Sequence, residues 1–183
     1  AAPPILTMIK RKNKLVDVVV AVSKLGNVIM LDRETGENIF EIIYERAPTS
    51  NIPGERTSPY QIKIKKPEKI CKSRFDINHL TDFDAEFKDE FKREINDYNF
   101  GYPAPPLLGK KNISIGGCVT WAGGSVDSNK NILYLTSFAS SEIITIEKDN
   151  ENRLSYYHEW DSFVDNNGFP AIKPPWGAVT ALD

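Results

Sequence analysis

The first third of the chain alternates short apolar runs with polar turns, a pattern typical of antiparallel β-strands. The apolar runs, in chain order, are residues 16–22, 28–31 and 38–44. The first run is rich in β-branched side chains, and Asp17 is its only charged residue. Gly36 can take the positive φ that the turn before the third run needs. The pattern therefore predicts a three-stranded meander over residues 16–44.

The remainder of the chain repeats this pattern with longer connections. The other predicted strands lie at residues 3–9, 61–66, 125–127, 132–137, 142–147 and 154–160, and a last one, starting another unit, begins at residue 176. The basic residues that alternate through 61–66 are typical of an edge strand. Three prolines and a glycine in residues 47–59 predict a loop or a linker there.

One segment changes from the strand period to a helical period. The apolar residues that recur at every fourth position are Phe83, Phe87, Phe91 and Ile95. This spacing predicts an amphipathic helix over residues 82–98, with Thr81 or Asp82 as its N-cap. The phenylalanine stripe has two interpretations, packing against the rest of the chain or binding a partner, and packing is the usual one for such helices.

Composition excludes several classes of protein. The 183 residues are 40% hydrophobic, enough for a substantial core. The 23 basic and 25 acidic residues give a net charge of -2 without any basic block, so a nucleic-acid partner is not expected. No apolar run approaches 18 residues, and the chain is not expected to span a membrane.

The residues that most often carry metal or nucleophile chemistry are sparse. Cys71 and Cys118 are too few for a metal-site pattern, and the burial habit of cysteine favours two free thiols. His79 and His158 lie far apart in the sequence, and no Gly-x-Ser-x-Gly motif accompanies them, so a hydrolase has no support. The glycines of residues 116–124 match no phosphate-binding loop.

Several ordered sequence blocks carry a resemblance to a known family. The blocks are Ser23-Lys24-Leu25-Gly26, Leu31-Asp32-Arg33-Glu34-Thr35-Gly36, Ile52-Pro53-Gly54-Glu55-Arg56-Thr57-Ser58-Pro59-Tyr60-Gln61, Pro105-Pro106, Thr120-Trp121-Ala122-Gly123-Gly124 and Pro174-Pro175-Trp176-Gly177-Ala178-Val179-Thr180-Ala181-Leu182-Asp183. They resemble quinoprotein dehydrogenases that use pyrroloquinoline quinone (PQQ). The membrane-bound glucose dehydrogenase branch is the most similar, because its members carry a Thr-Lys-x-Gly turn followed by Leu-Asp-Arg-x-Thr-Gly.

The resemblance, together with the strand pattern, gives an expected fold. Residues 1–183 are expected to form a single portion of an all-β propeller, about three to four incomplete blades of antiparallel meanders. A helical insertion is expected at about residues 76–100, and the proline-rich segment 47–59 is expected to be an ordered loop. In the family, the catalytic aspartate matches a position upstream of Ala1 and the calcium ligands lie earlier still. The chain alone is therefore expected to be incomplete and inactive, with no catalytic base or metal ligand of its own.

The resemblance also implies three cofactor-binding residues. Lys24 matches the family lysine that donates to the quinone oxygens of PQQ, whereas its position beside a glycine turn would by itself indicate a solvated lysine. Trp121 is either a packing residue or a neighbour of the cofactor. Thr120 occupies the position of a family asparagine that approaches the cofactor, and its shorter hydroxyl side chain departs from that pattern. Asp32 and Arg33 are predicted to hold a strand end by hydrogen bonds and a salt bridge.

The function implied by the resemblance is oxidation of a sugar or an alcohol by hydride transfer to PQQ, with Ca2+ in the complete enzyme. The implied partners are the substrate, a quinone or other electron acceptor, and either the remainder of the propeller or further copies of the chain. The periplasm is the implied location, although the chain carries no signal peptide pattern. The alternative is a non-catalytic β-propeller scaffold that binds protein partners.

Overall fold

The computed structural model describes residues 2–72, 74–101, 105–119, 121, 123–148 and 156–183. The strands are β1 Ile5–Arg11, β2 Lys14–Val22, β3 Val28–Asp32, β4 Ile42–Arg46, β5 Tyr60–Ile64, β6 Tyr98–Asn99, β7 Lys111–Cys118, β8 Gly124–Asp127, β9 Ile132–Lys148, β10 Tyr156–Ser162 and β11 Gly177–Leu182. Within these residues one α-helix occurs, α1 Ala85–Arg93, and short 3₁₀ helices lie at Ile77–His79 and Ile95–Asp97. The expectation of a mostly β chain with one inserted helix is confirmed.

The first sheet is an antiparallel meander in the order β1-β2-β3. The predicted meander consists of the runs at 16–22, 28–31 and 38–44. The observed sheet instead contains β1, which precedes residue 16, and lacks the run at 38–44. Only an isolated bridge between Leu31 and Asn38 continues the pairing beyond β3. In the turn after β3, the Asp32 carboxylate accepts hydrogen bonds from the backbone N–H groups of Glu34 and Thr35. The chain then leaves the sheet and pairs elsewhere.

The second sheet contains only β4 and β5, which pair antiparallel. The third predicted strand is thus shorter and later than expected, and its partner is the predicted edge strand. An exposed ion pair joins Lys63 Nζ to Glu45 Oε1 across the two strands at 2.5 Å. The proline-rich loop at 47–59 connects them, and the Ala47 N–H closes it by donating to the Pro59 carbonyl at 2.9 Å.

The third sheet is organised around the long strand β9. The registers place β7 and β8 along one edge of β9. They place β10 and β11 along the opposite edge of β9. Two predicted strands, 132–137 and 142–147, are therefore one strand of 17 residues. The small residues between them remain in the ladder, since Ala139 pairs with Gly117 and Ser141 with Ile115. The final strand does not start a separate unit, because β11 pairs with β9.

The helix is shorter than predicted. Asp84, and not Thr81 or Asp82, is the N-cap, because its side chain accepts from the Phe87 N–H at 2.9 Å. Asp82 instead forms an ion pair with Lys173 at 2.6 Å. The packing interpretation of the stripe is confirmed for Phe91, which is buried, whereas Phe83 lies before the helix and is 61% exposed.

Two apolar clusters hold the sheets together. The first joins the inward face of β2 to β9, and its buried members are Val18, Val20, Val22, Val28, Ile39, Cys118, Val119, Leu133 and Leu135. The second packs α1 against β7 and the loop after β10, and its buried members are Phe75, Leu80, Phe91, Ile113, Ile115, Phe163, Ala171 and Ile172. Cys118, at the end of β7, belongs to the first cluster, and this end of β7 leads to the candidate site.

Candidate functional site

The turn between β2 and β3 presents Lys24 to solvent. Ser23 organises the turn, because its hydroxyl oxygen accepts hydrogen bonds from the N–H groups of Leu25 and Asn27, both at 3.2 Å. The Gly26 N–H donates to the Ser23 carbonyl at 3.0 Å, and Gly26 has a φ of +77°. The Lys24 side chain is exposed, and its ammonium group forms no hydrogen bond or ion pair with any described residue.

A disulfide bond lies against this turn and corrects the prediction of free thiols. It joins Cys71 to Cys118, residues 47 positions apart whose Cα atoms are separated by 5.7 Å. The fold brings these distant segments together, since the Ile70 N–H donates to the Gly26 carbonyl at 3.4 Å while Cys118 lies in the first core cluster. General burial habit did not distinguish two free thiols from a disulfide.

Gly26 contacts both sulfur atoms of the disulfide. A Cβ atom placed on Gly26 would lie 2.6 Å from Cys71 Sγ and 3.1 Å from Cys118 Sγ. Such distances are too short for ordinary contact between carbon and sulfur, so only a glycine allows the turn to approach this closely. The approach fixes the turn of Lys24 against the disulfide.

Trp121 lies three residues after Cys118 and points largely into solvent. Its side chain is 79% exposed and forms no ring contact in the described part of the chain. The exposure argues against the packing interpretation of Trp121 among these residues. Thr120, the third predicted cofactor residue, lies outside the described residues. The Lys24 turn therefore packs against a disulfide whose Cys118 lies in the segment leading to Trp121, almost 100 positions further along the sequence.

A cavity of about 370 Å3 adjoins the same disulfide. Among the residues that line it are Lys69, Cys71, Lys72, Phe138 and Trp176. Burial, and then the nearby charge of Arg74, lowers the pKa of Lys69 from its ordinary value. The Trp176 indole N–H donates to the Ile172 carbonyl at 2.8 Å, which fixes the ring. Cationic and aromatic groups are thus concentrated around the disulfide.

Sequence reasoning identified only part of this region. Trp176 belongs to a block that carried the family resemblance, but no pattern singled out Lys69 or Lys72, because isolated lysines in a polar stretch have no distinguishing signal. The roles predicted for Asp32 and Arg33 are confirmed. Asp32 caps its turn, and Arg33 Nη2 lies 2.6 Å from Asp17 Oδ2, which ties the end of β3 to β2.

The described residues hold neither a metal-binding cluster nor a membrane-spanning helix. They contain no group of three or more His, Cys, Asp and Glu side chains placed to hold a metal ion. Across the described ranges, no helix has the length and apolar character needed to cross a bilayer.

The described residues form several small, largely antiparallel sheets in a mostly β chain, as expected of a β-propeller portion. Over its whole length, residues 1–183, the chain matches the family model described as "PQQ: Glucose/ethanol/alcohol dehydrogenase, beta-propeller domain". The chain belongs to this family of PQQ propeller domains. Comparisons with curated proteins and with solved structures gave no match.

Proposed function

We propose that the chain is part of a quinoprotein dehydrogenase that oxidises a sugar or an alcohol with PQQ as the hydride acceptor. The observation that carries the proposal is the match of all 183 residues to a propeller domain of glucose, ethanol and alcohol dehydrogenases. The turn of Lys24 and the turn of Asp32 resemble the glucose dehydrogenase branch in sequence. A glucose-like sugar is therefore the first substrate to test.

The side chains around the disulfide fit a flat anionic cofactor. Lys24 offers an ammonium group that no described residue neutralises, and Trp121 offers an exposed aromatic face. A cation and an aromatic surface are the two kinds of group that bind a planar carboxylate-bearing ring system. When bound, PQQ supplies a quinone that accepts the hydride, chemistry that no amino-acid side chain provides.

Lys24 has the clearest role in this proposal. Its ammonium group would donate a hydrogen bond to a quinone oxygen of the cofactor, and its positive charge would favour the negative charge that reduction places on that oxygen. Trp121 would contact the ring system of the cofactor through its exposed aromatic face. Thr120 remains a candidate contact on sequence grounds alone.

Calcium does not fit the described residues in the same way, because they contain no cluster of metal ligands. We derive no step of the reaction through a metal ion. The resemblance implies that Ca2+ is needed in the complete enzyme, so calcium belongs in the assay as a variable.

A periplasmic location is part of the proposal, and the disulfide supports it. Disulfides form and persist in oxidising compartments such as the bacterial periplasm and are rare in the cytosol. The Cys71–Cys118 bond therefore favours export of the protein. Recovery of the native protein in the periplasmic fraction, with both cysteines unreactive to a thiol reagent, is the expected result.

The function is tested with the complete protein that contains these residues. PQQ is titrated into it while the fluorescence of tryptophan is recorded, with and without calcium. Reduction of an artificial dye is then measured with glucose and with ethanol as substrates. Saturable PQQ binding and substrate-dependent reduction are expected. A protein that binds no PQQ and reduces no dye but captures a protein partner would establish the scaffold alternative.

A further inference from the structure

The turn that carries Lys24 has few fixed neighbours. Within the turn, the hydrogen bonds are those of Ser23 with Leu25, Gly26 and Asn27. Outside the adjoining strands, its described anchors are the hydrogen bond from Ile70 to Gly26 and the contact of Gly26 with the disulfide. The position of the Lys24 backbone therefore depends on the segment that contains Cys71.

A second glycine shows what is particular about Gly26. Gly36 has nearly the same backbone conformation, with φ of +74° against +77°, so an alanine would be strained to a similar degree at either position. Around Gly36, however, no heavy atom of the described residues, apart from those of Gly36 and its two chain neighbours, lies within 4 Å of the place that a Cβ would occupy. At Gly26, by contrast, both sulfurs lie within that distance. The two glycines differ in their contact with the disulfide and are alike in backbone strain.

We propose that the Cys71–Cys118 disulfide, acting through Gly26, is a positioning element that sets the Lys24 ammonium group for binding the anionic quinone cofactor. The proposal rests on the proposed function, since it assigns a device to the same site. The disulfide touches no cofactor in this scheme. It fixes the position of the turn, and Lys24 makes the contact.

The first test compares Gly26→Ala with Gly36→Ala in the complete protein. Gly26→Ala is expected to raise the dissociation constant for PQQ by about tenfold, because small displacements of a positioned group have effects of this size or larger. Gly36→Ala should change it less than about twofold. Equal effects of the two alanines would overturn the proposal.

A double-mutant cycle separates positioning from general stability. In a Lys24→Ala background, Gly26→Ala should cause no further loss of PQQ binding, since the group that it displaces has gone. Losses that add in this background would show that the disulfide acts on the fold alone. The pair Cys71→Ala and Cys118→Ala removes both sulfurs, and in that background Gly26→Ala should behave like Gly36→Ala.

Hydrogen exchange provides a measurement that needs no cofactor. The Asn27 amide, which donates to Ser23 Oγ, is expected to exchange faster in Gly26→Ala than in Gly36→Ala. Unchanged exchange would contradict the positioning role even if PQQ binding falls. A wild-type protein that binds no PQQ removes the proposed function and this inference together, whereas normal binding that Gly26→Ala does not affect removes the inference alone.

Discussion

Cys71 and Cys118 are joined by a disulfide that closes a loop of 47 residues between the segment after β5 and the end of β7. Both sulfur atoms lie against Gly26 of the Lys24 turn, and Cys118 precedes Trp121 by three residues. The bond thus lies between the two predicted cofactor-binding segments.

Removal of the disulfide is expected to destabilise the chain substantially. In the chain-entropy account, a closed loop of this length is worth on the order of 4 kcal/mol, because the bond restricts the unfolded state. The variant Cys71→Ser with Cys118→Ser should therefore show a clear loss of unfolding free energy in urea. Dithiothreitol should lower the Tm of the wild type toward that of the variant and leave the variant unchanged. A wild-type Tm that is insensitive to reduction would contradict the structural role of the bond.

The first core cluster provides a second prediction on stability. Leu135 has no exposed surface and packs between the first and third sheets. Leu135→Ala should cost about 2–5 kcal/mol through lost burial and the cavity that remains. Leu15→Ala is the matched control, because Leu15 is 69% exposed, and its cost should stay within about 0.5 kcal/mol. Similar losses for the two variants in urea unfolding would argue against the arrangement of this core.

The hydrogen bonds of the Asp32 turn predict that the stability of the fold depends on pH in the acidic range. Hydrogen bonds from the Thr35 and Glu34 backbone N–H groups hold the pKa of Asp32 below its ordinary value of 3.8. The ionised carboxylate therefore stabilises the fold above that pH, and this contribution is lost as pH falls through the lowered pKa. Asp32→Asn should weaken the fall of Tm between about pH 5 and pH 2. Glu34→Gln removes an exposed charge in the same turn and should leave the dependence of Tm on pH as in the wild type. If Asp32→Asn also showed the wild-type dependence of Tm on pH, the stabilising role of the Asp32 carboxylate would be refuted.

The outer face of the first sheet predicts self-association of the chain studied alone. Leu6, Val19 and Leu31 are aligned across β1, β2 and β3, and Leu6 is 62% exposed. An apolar sheet face in water favours association, and a further blade or a second copy would cover it. Light scattering of residues 1–183 should give a mass above that of a monomer. The double variant Leu6→Lys with Met8→Lys should be monomeric, whereas the control variant Lys10→Ala should still associate. A strictly monomeric wild type would contradict the prediction that this apolar face drives association.

Local patterns in the sequence were sufficient for most strands and for the existence of the helix. Strand alternation depends on side chains two positions apart, so β2 and β3 were predicted closely. Pairing and caps depend on structure that is distant in sequence. Asp84 caps the helix, whereas Asp82 forms ion pairs with Lys88 and with Lys173. Lys173 lies 91 positions further along the chain, so that ion pair leaves no local signal.

The sequence predicted part of the candidate site. Lys24 and Trp121 came from resemblance to a family, and the structure adds that their segments meet at a disulfide. The pairing of Cys71 with Cys118 depends on how the sheets pack, which two isolated cysteines do not reveal. The lysines that line the adjacent cavity are likewise brought together only by the fold.

The most direct test of the proposed quinoprotein site is the turnover of Lys24→Ala in the complete protein, measured by dye reduction with glucose, PQQ and calcium at saturation. Lys130→Ala is the control, because Lys130 is also an exposed turn lysine. Loss of one donor that stabilises developing charge should lower turnover about a hundredfold in Lys24→Ala, with no effect in Lys130→Ala. Equal turnover of the two variants would show that Lys24 is a solvated turn lysine and would contradict its role in the site.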